Sequence, residues 1–138
     1  MQSDTPSGMK HRYPEEMEII VVDDEDALRD VVCEMLEALG YRTFQAKSAY
    51  DAMVYMEHRT PALVITDIMM PNADGFALIR RMRANDALAE VPIVVLSARA
   101  TSESRDAATR IGADAFMPKP FTSLELERIV RSFLDDPS

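Results

Sequence analysis

Three runs of the chain are apolar at every position: Ile19-Ile20-Val21-Val22, Ala62-Leu63-Val64-Ile65 and Ile93-Val94-Val95-Leu96. A strand with one wet face alternates apolar and polar residues. A strand that is apolar and β-branched throughout needs cover on both faces, as in a parallel sheet. Tyr41-Arg42-Thr43-Phe44-Gln45-Ala46 alternates instead, as an edge strand would, and Ala115-Phe116-Met117 supplies a plausible short fifth strand.

Helical periodicity fills the intervals. Leu28, Val31, Val32, Met35, Leu36 and Leu39 fall on one face, and Gly40 follows as a stop. Ala49, Ala52, Met53 and Met56 form a stripe after Ser48, an N-cap residue, while Phe76, Ile79 and Met82 form another after Asp74. Ala107, Ala108 and Ile111 mark a fourth helix closed by Gly112. The last opens with Thr122-Ser123-Leu124-Glu125, a capping box, and carries Leu126, Ile129, Val130, Phe133 and Leu134. These stripes read as core and carry no chemistry. The order predicts an α/β fold, (βα)5, with right-handed crossovers and a doubly wound parallel five-stranded sheet.

The 138 residues suit one domain, expected over residues 16–135, with a polar disordered leader at 1–15 and a short tail at 136–138. One cysteine, Cys33, excludes a disulfide framework or a thiolate zinc site, and two histidines make no metal cluster. The apolar runs are too short to span a membrane, and no apolar stretch follows a basic one at the start. A cytoplasmic setting, without membrane attachment, is expected. The net charge of −9 argues against direct binding of nucleic acid.

In an open parallel sheet the functional crevice lies beyond the C-terminal strand ends. The first strand ends in Asp23-Asp24, the third in Asp67, the fourth in Ser97 and the fifth in Lys119. Each has a plain structural reading: Asp24 as a cap of the first helix, Ser97 as a turn residue, Lys119 as a solvated charge. Together they read differently, because a cap needs only one acceptor and three clustered carboxylates repel one another without a cation. Such oxygen donors suit Mg²⁺ (Mn²⁺ is also possible), which takes one or two carboxylates plus a phosphate. Lys119 adds a point charge for phosphate oxygens and Ser97 a hydroxyl.

Asp23-Asp24, the block Thr66-Asp67-Ile68-Met69-Met70-Pro71-Asn72-Ala73-Asp74-Gly75, then Ser97-Ala98 and Lys119-Pro120-Phe121 together resemble the signature of response-regulator receiver domains of two-component signalling. The likeness is to the chemotaxis-type single receiver and covers roughly residues 16–135. It implies a flavodoxin-like strand order 2-1-3-4-5. It implies that Asp67 accepts a phosphoryl group from a sensor histidine kinase or a phosphotransfer protein, with Asp24 and Asp67 as direct metal ligands and Asp23 acting through water. The backbone carbonyl of Met69 would be the third protein ligand, and Lys119, Ser97 and Ala98 would line the phosphoryl site. Gly75 would permit the tight turn after Asp67, and Lys119-Pro120 would be a cis bond. Ser97 and Phe116 would form the switch pair, although Phe116 also reads as an ordinary core aromatic. Met69 would leave water unoriented, which implies slow self-dephosphorylation. Arg99 reads either as a contact to phosphoryl oxygens or as a solvated side chain.

The resemblance makes the domain a switch rather than an enzyme, although it promotes its own phosphorylation. A haloacid-dehalogenase-type phosphatase needs a second acid two residues after its nucleophile, where this chain has Met69. A flavodoxin-like cofactor binder would set Asp23-Asp24 against its phosphate, and a dinucleotide binder lacks its glycine loop. A pseudo-receiver, a binding module that never takes phosphate, stays open as the alternative. The implied output is a downstream protein or a fused output domain. A homodimer is possible through the face of the fourth helix, fifth strand and fifth helix.

Overall fold

The computed structural model describes residues 17–135, so the expected leader and tail lie outside the described residues. The elements run β1 (Glu18–Val22), α1 (Asp26–Ala38), β2 (Arg42–Ala46), α2 (Ala49–Tyr55), β3 (Leu63–Asp67), a 3-10 turn (Pro71–Ala73), α3 (Asp74–Arg83), β4 (Ile93–Ser97), α4 (Ser102–Ile111), β5 (Ala115–Pro118) and α5 (Ser123–Leu134). All strand pairs are parallel, in the order β2-β1-β3-β4-β5. The alternating strand β2 is an edge, and the three apolar runs are the central strands. Among the described residues no helix is long and apolar enough to cross a membrane.

The pleat sorts the central strands into two cores. Ile20, Val22, Val64, Ile93 and Val95 pack with Ala52, Met56, Leu78, Ile79, Met82 and Ala108 from α2, α3 and α4. Ile19, Val21, Leu63, Ile65, Val94 and Leu96 pack with Val32, Cys33, Leu36, Leu126 and Val130 from α1 and α5. One expected core position moves. Val31 is 43% exposed, because the inward stripe of α1 runs through Val32, Cys33 and Leu36, and Val31 faces away from it.

Helix ends follow local chemistry. Ser48 Oγ accepts the N–H of Asp51 to cap α2, and Thr122 and Glu125 form the expected capping box of α5. A second capping box, Thr101 with Ser104, opens α4. Gly40 and Gly112 close α1 and α4 at φ of 99° and 119°, in the left-handed region.

At the end of the sheet away from the strand C-termini, Arg83 ties several segments together. Its guanidinium donates to the carbonyls of Ala89 (3.0 Å), Val91 (2.8 Å) and Gly112 (3.0 Å). It also pairs with Asp114 at 2.8 Å, and that carboxylate accepts the N–H of Ile93. Removing the guanidinium leaves several carbonyls without their donor. Arg83→Ala is therefore expected to cost about 2 kcal/mol of stability, read from urea unfolding, with the chemistry at the opposite sheet edge unchanged.

Candidate functional site

Strand register builds the site. Val22 pairs with Thr66 in the parallel ladder, so the next residues, Asp23 and Asp67, leave β1 and β3 side by side. Asp67 pairs with Leu96, which sets Ser97 one step further out on β4. Ser97 pairs with Pro118, and the N–H of Lys119 donates to the Ser97 carbonyl at 2.8 Å. Four residues from four strands thus meet at one edge with no long loop to place them.

Asp23, Asp67 and Ser97 are buried, at 2%, 4% and 0% exposure. The Lys119 ammonium lies between the two acids, 3.0 Å from Asp67 Oδ2 and 3.3 Å from Asp23 Oδ2, and 3.8 Å from Glu25 Oε1. The remaining oxygens of the buried acids are held by backbone: Asp67 Oδ1 accepts the N–H of Met69 at 2.8 Å, and Asp23 Oδ1 that of Glu25 at 2.9 Å. Burial, and then the Asp67 charge, push the Asp23 carboxyl up despite the Glu25 N–H and Lys119. Burial also works against the Lys119 ammonium, but its hydrogen bond to Asp67 and the two acid charges outweigh it, and its pKa is raised. The two acids carry more negative charge than one lysine offsets.

Carboxylate oxygens of Asp23, Glu25 and Asp67 lie within 4.8 Å of one another, a set of hard donors that fits a divalent cation such as Mg²⁺. Glu25 was not anticipated; its only signal was adjacency to the Asp23-Asp24 pair. Asp24, expected as a direct ligand, is exposed and outside this group. Nor does it cap α1, whose N-cap is Glu25 with no side-chain hydrogen bond. Arg29 was also missed: it fixes the turn by donating to the Asp23 carbonyl at 2.7 Å and to Gln45 and Asp26.

The loop after Asp67 departs from expectation at one residue. Gly75 does not make the tight turn; it lies inside α3, and the left-handed turn residue is Asn72, at φ 62°. Glycine is needed at 75 for closeness, because a Cβ there would collide with the Asp67 carbonyl oxygen and come within 2.6 Å of Ile68 Cα. Asp74 caps α2 from across the fold, accepting the N–H of Ala49 at 2.6 Å. The Asp67 loop is thereby pinned on both sides.

Ser97 and Phe116 sit on the α4 side of the sheet. The Ser97 hydroxyl faces its own loop, accepting the N–H of Arg99 at 3.0 Å and donating to the Arg99 carbonyl at 3.2 Å. Phe116 is half-buried, with the Arg105 guanidinium carbon 4.8 Å from its ring centroid. Met69 is 47% exposed, and Ala98 and Arg99 are exposed beside it at the same edge. Lys119-Pro120 is cis, as expected.

Comparison with known proteins agrees with this geometry. The family model of the response regulator receiver domain matches residues 19–131. Response regulator Rre1 of Synechocystis is 40% identical over 87% of this chain and 52% of its own length, so the chain spans about half of that relative. An uncharacterized 14.6 kDa protein of Leptolyngbya boryana is 38% identical over 86% of this chain and 90% of its own length. The receiver domain of a sensor histidine kinase from Pseudomonas aeruginosa, solved with a magnesium ion coordinated in its active-site cleft, superposes with a TM-score of 0.80. It is 29% identical, with 87% of this chain and 98% of that one covered. With the motifs, the strand order and the acidic edge all in place, the chain belongs to the response regulator receiver domain family.

Proposed function

We propose that this receiver is a phosphorylation-driven switch whose phosphoacceptor is Asp67. The observation that carries the reading is the Lys119 ammonium set between the buried carboxylates of Asp67 and Asp23, at 3.0 and 3.3 Å. A structural ion pair needs one acid; two acids sharing one lysine leave negative charge to be balanced by a cation. Asp23, Asp24, Asp67 and the Met69 carbonyl would hold Mg²⁺, with Glu25 close enough to join them. When bound, Mg²⁺ offsets charge on the phosphoryl oxygens and on Asp67.

The donor is a phosphohistidine on a sensor kinase or a phosphotransfer protein. A carboxylate oxygen of Asp67 forms the new bond to phosphorus as the phosphorus–nitrogen bond breaks, and the imidazole leaves with the electron pair. Little covalent assistance is needed, because such transfers depend on alignment and charge. Alignment comes from the Met69 N–H, which holds one Asp67 oxygen, and from the Gly75 contact behind its carbonyl. Lys119 moves from the acids to the incoming phosphoryl oxygens. The Ser97 hydroxyl turns toward the same group beside Ala98, and Phe116 turns inward, biasing the α4–β5–α5 face. That face then meets a downstream protein, a fused output domain or a second copy of the chain. A cytoplasmic setting, where such kinases expose their phosphohistidine, belongs to this reading. Met69 offers no group to orient an attacking water, so the phosphoryl group is long-lived.

Intact mass after incubation with a small-molecule phosphodonor tests the assignment. One added phosphoryl group is expected with Mg²⁺, and none without it or in Asp67→Ala. Native protein that stays unmodified while binding Mg²⁺ would instead favour the pseudo-receiver reading. Asp23→Asn separates function from stability. Burial works against the Asp23 charge and raises its pKa, so the uncharged amide should raise the metal-free melting temperature by roughly 2–5 °C while abolishing Mg²⁺-dependent modification. A lowered melting temperature would show that the Lys119 pair outweighs the burial of charge.

A further inference from the structure

The switch pair is held from outside by two consecutive residues of α4. The Arg99 carbonyl accepts two hydroxyls, Ser97 Oγ at 3.2 Å and Ser104 Oγ at 2.6 Å. A hydroxyl has one proton to give. Ser104 Oγ faces two carbonyls, Arg99 at 2.6 Å and Thr101 at 3.0 Å, and the shorter contact favours Arg99 as the acceptor, while Ser104 Oγ accepts the N–H of Thr101 at 3.1 Å. The loop carrying Ser97 is therefore bonded to the first turn of α4 through one peptide group. The next residue, Arg105, lies over the ring of Phe116 at 4.8 Å. Adjacent side chains of one helical turn thus hold the peptide that Ser97 is bonded to and the ring of Phe116.

We propose that Ser104 and Arg105 form a latch that holds the unphosphorylated arrangement and sets how readily the domain accepts a phosphoryl group. The proposal rests on the reading of Asp67 as phosphoacceptor and of Ser97 and Phe116 as the switch. In the described arrangement the Ser97 hydroxyl is committed to the Arg99 peptide. Turning toward Asp67 requires it to release that peptide, which Ser104 keeps in place. Phe116 must likewise leave the Arg105 guanidinium to turn inward. The proposed turn gives up the Ser97–Arg99 and Arg105–Phe116 contacts, so each opposes the transition by its own free energy. Ser104 and Arg105 are positioning residues; neither touches the phosphoryl site.

The latch predicts that weakening it tightens the binding of a phosphoryl mimic. In the presence of Mg²⁺, Ser104→Ala should bind beryllofluoride roughly five-fold tighter than the native protein by titration calorimetry. Arg105→Ala should tighten it roughly two-fold, and Ser104→Thr, which keeps the hydroxyl, should restore native affinity. Thr101→Ala removes the α4 cap at the Ser104 N–H but leaves the Ser104 bond to Arg99. It should lower stability without tightening binding, which separates a latch from a cap. A second readout needs neither metal nor mimic: NMR resonances of Arg99 and Phe116 in free Ser104→Ala should shift toward their positions in the beryllofluoride-bound native protein. Folded Ser104→Ala with native or weaker affinity and unmoved resonances would overturn the latch. A native protein that binds no beryllofluoride with Mg²⁺ would overturn the functional reading beneath it.

Discussion

Two buried carboxylates side by side are the constraint around which this fold is arranged. Parallel register makes them neighbours: once Val22 lies beside Thr66, Asp23 and Asp67 have nowhere else to go. Like charges in a poorly solvated edge repel, and one ammonium at 3.0 and 3.3 Å only partly offsets them. The surroundings absorb the rest. Backbone N–H groups of Met69 and Glu25 hold the free oxygens, Arg29 clamps the Asp23 carbonyl, and Asp74 ties the Asp67 loop to α2. Stability for the tense edge comes from the two apolar cores behind it and from the Arg83 network at the far end of the sheet.

Much of this was legible in the sequence, for one physical reason. In a parallel sheet the chain reaches the same edge at every strand end, so residues that terminate apolar runs must meet. Asp23, Asp67, Ser97 and Lys119 could be brought together by counting strands, and the alternation of Arg42 to Ala46 marked an edge. What stayed hidden depends on contacts between segments distant in the chain or on side-chain direction. Asp74 looks like a cap for its own helix, and only the folded arrangement delivers it to Ala49. Gly75 reads as a turn residue because glycine usually supplies φ, whereas here it supplies room against Asp67. Val31 opens the apolar run Val31-Val32-Cys33 after Asp30, and a hydrophobic run cannot say which of Val31 and Cys33 turns inward. Asp24 and Glu25 differ by one rotation along the turn after β1, and the side-chain directions bring Glu25, not Asp24, toward Lys119.

The pleat also divides labour at the edge. Asp67 continues the parity of Leu63 and Ile65, and Asp23 that of Ile19 and Val21, all of which belong to the core under α1 and α5. Lys119 follows Met117 in that same core. Ser97 continues the parity of Ile93 and Val95, and it shares with Phe116 the face packed by α2, α3 and α4. The charged trio and the hydroxyl–aromatic pair therefore stand on opposite sides of one sheet edge, joined by short backbone links such as the Lys119 N–H on the Ser97 carbonyl.

On the proposed reading of Asp67 as phosphoacceptor, this division would make Ser97 the relay for a change there. The charged side is packed against α1 and α5, whose inward stripes are continuous and fully buried at Val32, Leu36, Leu126 and Val130. Helix α4 is held more lightly, with Ala108 its one fully buried residue among those described, so it is the cheaper element to move. A side chain that crosses from the α4 side toward Asp67 couples the stiff face to the soft one. Ser97 is placed for that, buried completely, with a hydroxyl bonded only to its own loop. Under the proposed function, phosphoryl charge at Asp67 would act where the fold resists least, and the partner kept by the Ser97 hydroxyl would set the position of α4.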